Sequence, residues 1–247
     1  MNDLLLQKEI DVLKSGGWGT ICPHSVNAAS MLSGIVSSKY GLICHSWGAA
    51  YEALLRHFRA FHGTKVAVGA VCVPYDALVA SCTGASPVFL DDPSQVDGAV
   101  CAVIDITEDF DSYPLEKVSG RCRSKNIPLI INAAGYIRTR WRGKTLADYA
   151  SAVVYSLEKG SEIYAGKGGF IATDDLEIYS GVFAWHNCGR AFGEGASLSI
   201  NGIIGGDLRV SEWTSAIVES VIETGHFSEA EPPEKREMGK EPVYSEK

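Results

Sequence analysis

Apolar residues along the chain fall into short continuous runs, separated by segments in which apolar positions recur every three or four residues. Residues 40–44 form the first such run. After Ser46 the composition turns helical through Gly48-Ala49-Ala50-Tyr51-Glu52-Ala53-Leu54-Leu55, and Gly63 marks the stop. The alternation then repeats, predicting strands at 66–71, 87–90, 99–106, 128–131, 152–157 and 169–173, and helices at 76–82, 115–125, 175–185 and 211–223. Strands that read as unbroken Val/Ile/Ala runs are buried on both faces. The expected fold is therefore α/β, a three-layer arrangement with helices on both sides of a mainly parallel sheet.

The two ends carry weaker patterns. The N-terminal segment 1–33 gives no clear element apart from a loop at Ser15-Gly16-Gly17-Trp18-Gly19. The main domain is expected at 34–224. Beyond it, Glu229-Ala230-Glu231-Pro232-Pro233-Glu234-Lys235-Arg236-Glu237 is charged and nearly free of apolar residues, so 225–247 reads as a disordered tail.

Composition narrows the function. The chain has 247 residues, 46% of them apolar, which suffices for one principal domain with a real core. A formal charge of -8 without a Lys/Arg cluster argues against nucleic acid and against an anionic membrane surface as partner. No export signal is expected at Met1-Asn2-Asp3-Leu4-Leu5-Leu6, and no apolar run spans a bilayer. The seven cysteines are scattered, with no C-x-x-C pair and no histidine at metal-ligand spacing. They read as reduced core residues of a cytoplasmic protein without a metal site.

In an open parallel sheet, ligands collect at the carboxyl ends of the strands, where helix N-termini present free N–H groups. Three loops lie at such places: His45-Ser46-Trp47-Gly48, Asn132-Ala133-Ala134-Gly135 and Ser156-Leu157-Glu158-Lys159-Gly160-Ser161. Each alone reads equally well as a helix cap or a plain connection.

Together and in this order they resemble the DegT/DnrJ/EryC1/StrS family of sugar aminotransferases. The family's Ser-Ser-Gly-Thr-Ala-Ala phosphate turn corresponds to His45-Ser46-Trp47-Gly48-Ala49-Ala50, and its Gly-Ala-Thr-Pro-Val-Phe-Val-Asp strand to Gly84-Ala85-Ser86-Pro87-Val88-Phe89-Leu90-Asp91. Its Glu-Asp-Ala-Ala-Gln motif falls on Ile131-Asn132-Ala133-Ala134-Gly135, and its lysine loop on 156–169. Thr173-Asp174-Asp175, Asn187-Cys188-Gly189-Arg190 and Arg209-Val210-Ser211-Glu212 continue the register. The resemblance implies the large domain of a fold-type-I pyridoxal-phosphate transferase, with a seven-stranded sheet and with the family's C-terminal small domain absent.

For chemistry the resemblance implies mostly loss. Ser161 stands where the family's lysine forms the Schiff base, and a hydroxyl makes no imine. Asn132 replaces the aspartate that keeps the pyridine nitrogen protonated, Gly135 the glutamine, and Val71 the aromatic residue stacked on the ring. Of the phosphate site, Ser46, the backbone around Gly48, and Ser156 remain, with Trp47 crowding the turn in place of a glycine. Pyridoxal phosphate is thus a cofactor by resemblance only, and none is expected to be held as an imine.

Two groups are candidates for catalysis. Lys159, two residues before Ser161 and about 7 Å away in an extended loop, is placed to substitute as the imine-forming lysine, or is simply solvated. His45 stands at the mouth of the presumed pocket as an acid or base, or as a strand-end hydrogen-bonding group. Lys167 has the same bland reading as Lys159. The basic stretch 138–144 reads as a solvated turn or as a contact for a nucleotide sugar's phosphates, and Trp185-His186-Asn187 reads as helix packing. Segment 209–212 lies where the family completes its site across a dimer, implying a homodimer or a heterodimer with a related aminotransferase. Three functions compete: a non-catalytic partner or scaffold in sugar or natural-product biosynthesis, a pyridoxal-independent enzyme reusing the pocket, and an ordinary pyridoxal-dependent sugar aminotransferase.

Overall fold

Two-sided burial of the strands shows in how consecutive side chains divide between two separate apolar clusters. A computed structural model describes residues 3–17, 21–69, 71–72, 74–90, 92, 96–105, 115–190, 204–231 and 236–237. Within it, Ala102 and Ile104 face one layer while Cys101 and Val103 face the other, and Leu129 and Ile131 oppose Ile130 in the same way. The strands concerned are β1 (Tyr40–Cys44), β2 (Lys65–Gly69), β4 (Ser86–Leu90), β5 (Cys101–Asp105), β6 (Leu129–Asn132), β7 (Ala152–Ser156) and β8 (Gly169–Thr173). They form one sheet in the order β1-β8-β7-β6-β5-β2-β4. Only β8 runs antiparallel to its neighbours. The remaining pairs are parallel, as expected from the sequence.

Helices α3 (Trp47–His57), α4 (Pro74–Cys82) and α6 (Leu176–His186) cover one face, and α2 (Pro23–Val36), α5 (Leu115–Lys125) and α7 (Glu212–Thr224) cover the other. Local chemistry fixes their starts. The Ser46 hydroxyl accepts from the Ala49 amide at α3, Asp175 accepts from Glu177 and Ile178 at α6, and Ser211 accepts from Thr214 at α7. A two-residue strand β3 (Val71–Cys72) pairs antiparallel with β9 (Arg236–Glu237).

The N-terminal segment is helical throughout much of its length, forming α1 (Asp3–Ser15) and α2. Helix α2 runs through the boundary expected at 33/34, and its Ala28, Leu32 and Val36 are part of the same core as Ile43 and Phe170. Helix α7 holds both. Buried Glu212 accepts from the His24 and Ser25 amides at the start of α2, and buried Glu219 accepts from Lys8 at 2.7 Å and meets His24 at 2.9 Å.

The expectation of disorder after 224 does not hold for 225–231. Phe227 packs against the core with the Arg138 guanidinium over its ring, and the Ser228 and Glu231 amides donate to the Glu162 and Gly160 carbonyls. Residues 232–235 and 238–247 of that tail, Trp18 and Gly19 of the predicted loop, and Ile106 of the strand predicted at 99–106 lie outside the described residues. None of the seven cysteines is in a disulfide, and Cys44, Cys72, Cys101 and Cys122 are buried. No described helix is long and apolar enough to cross a membrane.

Candidate functional site

The register brings the carboxyl ends of β1, β7 and β6 and the start of the reversed β8 to one edge. Cys44 pairs with Gly169, Gly169 with Ser156, and Asn132 with both Val154 and Asp105. The loops carrying Ser46 and Ser156 therefore meet. A Cβ on Gly169 would stand 2.5 Å from the Ser46 carbonyl oxygen and 2.6 Å from the Trp47 Cα, so only glycine admits this approach.

A helix N-terminus at such a place attracts an anion. Here the anion is internal. The Trp47 amide donates to Glu158 Oε1 at 3.1 Å, and the other carboxylate oxygen receives Lys167 Nζ at 3.1 Å. Neither residue was singled out from the sequence as an anion or its partner. Ser46 spends its hydroxyl on the Ala49 amide, and the buried Ser156 hydroxyl accepts from the Glu158 amide. Trp47 lies flat on Tyr75, ring centroids 4.7 Å apart, and the Tyr75 hydroxyl presses on Gly48. The crowding expected of Trp47 is real, and the cradle is filled by side chains of the protein.

The second half of the site lies at the end of β6. Asn132 is fully buried; its Nδ2 donates to Asp76 Oδ1 at 2.7 Å and its Oδ1 accepts from the Ala134 amide at 3.1 Å. Both of its polar groups are thus engaged within the chain. Asp76, fully buried in the first turn of α4, looks in the sequence like an ordinary helix-start carboxylate. Nothing local marks it as a partner of a residue 56 positions away. Burial, with help from Asp76, pushes the Tyr51 phenol well above its ordinary range.

Ser161 is 2% exposed. A Cβ on Gly135 would lie 2.5 Å from its Cα and 2.8 Å from the Gly160 carbonyl oxygen, so the loop rests directly on the 135 backbone. The Glu162 amide donates to the Gly135 carbonyl, and segment 225–231 is bonded across the same loop through Gly160 and Glu162. The structure thus gathers Ser46, Trp47, Gly48 and Ser156 around Glu158, and Asn132, Gly135 and Ser161 along the neighbouring strand ends. His45 and Lys159 join neither group, because both side chains are exposed. Val71 is placed only by its backbone pairing with Glu237. Of segment 209–212, Val210 and Glu212 are buried within the chain and Ser211 caps α7, which leaves Arg209 as the member with a free side. Among the described residues no His, Cys, Asp and Glu side chains cluster in a way that would hold a metal ion.

Seven strands in this order, one of them reversed, with loops converging on the carboxyl edge, define the large-domain fold of pyridoxal-phosphate aminotransferases. The structure superposes on 3-amino-5-hydroxybenzoic acid synthase with a TM-score of 0.78 at 23% identity, covering 90% of this chain and 62% of that one. It superposes on Helicobacter pylori PseC, an aminotransferase involved in the biosynthesis of pseudoaminic acid, with 0.75 at 20% identity, covering 91% and 63%. Residues 110–226 match the sequence profile of the DegT/DnrJ/EryC1/StrS aminotransferase family. Among curated relatives, 3-amino-5-hydroxybenzoate synthase of Amycolatopsis mediterranei is 24% identical over 211 residues, 80% of this chain and 51% of the relative. The chain spans about half the length of the curated relatives it matches.

Proposed function

We propose that this protein works without Schiff-base chemistry, as a non-catalytic partner or scaffold for an aminotransferase or another enzyme of sugar or natural-product biosynthesis. The observation that carries this reading is the Glu158 carboxylate seated on the Trp47 amide at the start of α3. Phosphate and carboxylate compete for the same helix N-terminus, and a tethered carboxylate held by Lys167 already occupies the Trp47 amide that a phosphate would use. The rest of the site agrees. Ser161 offers no amine and lies beneath its own loop, and Asn132 offers no charge for a pyridinium and has both polar groups engaged. The residues present do not fit pyridoxal phosphate held as an imine.

Reuse of the emptied pocket for other chemistry draws no support from His45 or Lys159, which stand in solvent rather than around a shared cavity. The test is a titration of the purified protein with pyridoxal phosphate, followed by borohydride reduction and peptide mass analysis. The expected result is no visible-range imine band and no reduced adduct beyond random surface lysines. A stoichiometric adduct on Lys159 or Lys167 would restore the aminotransferase reading. The partner role is checked by co-purification with candidate aminotransferases and by the change in their turnover when the chain is added.

A further inference from the structure

Strand β1 is the open edge of the sheet. Beyond it, between α2 and α6, lies a cavity of about 430 Å³ that shares no lining residue with the Glu158 cradle or with the Asn132 and Ser161 strand ends. Three aromatic rings line it among small and aliphatic residues. Tyr40 and Tyr179 stack with centroids 5.2 Å apart, and Phe183 tilts against Tyr179 at 6.2 Å.

Besides three serines and Lys39, two polar groups line this space. His186, on the last turn of α6, is 2% exposed, and neither ring nitrogen reaches the geometry of a hydrogen bond, although the Ile43 backbone lies near enough to act on the ring. Arg209 lies close enough to act on its charge. Asp207 takes the Arg209 Nε at 2.8 Å, and Arg209 lines the cavity with its terminal nitrogens unpaired among the described residues. Lys39 adds a second positive charge at the rim. A buried imidazole without a partner is costly, on the order of 1–3 kcal/mol per unpaired group, and is found where something else supplies the bond. A guanidinium presenting two parallel N–H groups matches a carboxylate, and stacked rings beside it match a planar or cyclic body.

We propose that this cavity binds a small organic carboxylate with a ring-sized apolar body, its carboxylate on Arg209 and His186 and its ring against Tyr40, Tyr179 and Phe183. The site is independent of the cofactor question and of the partner role. It fits a chain that senses or carries a small acid at the sheet edge while its ancestral cofactor site is closed.

The test uses benzoate and cyclohexanecarboxylate as probes and benzamide as the uncharged isostere, titrated into the full chain by calorimetry and by NMR of the histidine ring nitrogens. Saturable one-to-one carboxylate binding is expected, with benzamide at least about tenfold weaker because it lacks the charge-assisted pair. The His186 resonances should be the histidine signals that move. Ser30 is exposed at the mouth, so Ser30→Trp should plug the cavity and abolish binding without altering the fold. Arg209→Gln should weaken the carboxylates about tenfold or more and leave benzamide unchanged. No saturable carboxylate binding at millimolar concentration, equal binding of benzamide, or binding indifferent to Ser30→Trp would each overturn the proposal.

Discussion

His186 makes a sharp prediction about acid stability. Burial holds its pKa down from 6.5 to about 4, with Arg209 and His45 adding to the effect and the Ile43 backbone and Asp207 opposing it. In the unfolded chain the same ring titrates at its ordinary value. Between the two values the unfolded state binds a proton that the folded state refuses, so stability falls as the pH drops. The contribution is complete above 6.5 and is lost progressively on the way down to about 4. An interval of two and a half units amounts to about 3 kcal/mol, at about 1.4 kcal/mol per unit where the slope is steepest. Replacing the ring by a non-titrating one of similar shape, His186→Phe, removes this dependence while keeping the contact with Phe183. Urea denaturation from pH 8 to pH 4 should show the wild type losing about 3 kcal/mol relative to the variant. A difference that stays flat within about 0.5 kcal/mol across that window would refute the reasoning. A bound carboxylate should raise the His186 midpoint, because the anion favours the charged ring.

Other contacts give equally direct tests. Glu212→Ala removes the acceptor of the His24 and Ser25 amides at the buried start of α2, and should lower unfolding free energy by about 2–4 kcal/mol in denaturant titration. Gly135→Ala forces a methyl against Ser161 Cα and should cost about 1–3 kcal/mol or lift the 158–162 loop, seen as a lower thermal midpoint with faster hydrogen exchange in that loop. Glu158→Gln keeps the shape but frees the α3 N-terminus and Lys167 from the internal anion. Inorganic phosphate should then bind measurably by phosphorus NMR where the wild type shows none, and unchanged behaviour would mean that the carboxylate is not what closes the cradle.

Strands and most helices were legible because two-sided burial writes itself as continuous apolar runs. The strand expected at 99–106 appears at Cys101–Asp105, and the helix expected at 115–125 appears at Leu115–Lys125. Helices α1 and α2 escaped notice for opposite reasons. In α1 only Val12 is buried, so there is little periodic signal, and in α2 small residues such as Ser25, Ala28 and Ala29 blur the apolar stripe. At the site, the positions of Ser46, Asn132, Gly135, Ser156 and Ser161 followed from motif register, while their partners did not. Glu158 reaches Trp47 across 111 residues and Asp76 reaches Asn132 across 56, and local spacing carries no trace of such contacts.

Those partners bear on what the substitutions mean. A cofactor site that had merely lost its lysine would leave a helix N-terminus and a buried strand-end amide facing an empty space, each with unmet hydrogen bonds. Here Glu158 and Lys167 take up the first, and Asp76 with the Ala134 amide takes up the second. The loop bearing Ser161 is closed onto Gly135 and bonded from outside by 225–231. Buried ring nitrogens without a hydrogen bond lie both at Trp47 in the cradle and at His186, the latter beside Arg209 and a separate cavity. The Glu158–Lys167 and Asp76–Asn132 contacts therefore supply from within the chain hydrogen bonds that a ligand would otherwise make at those two points.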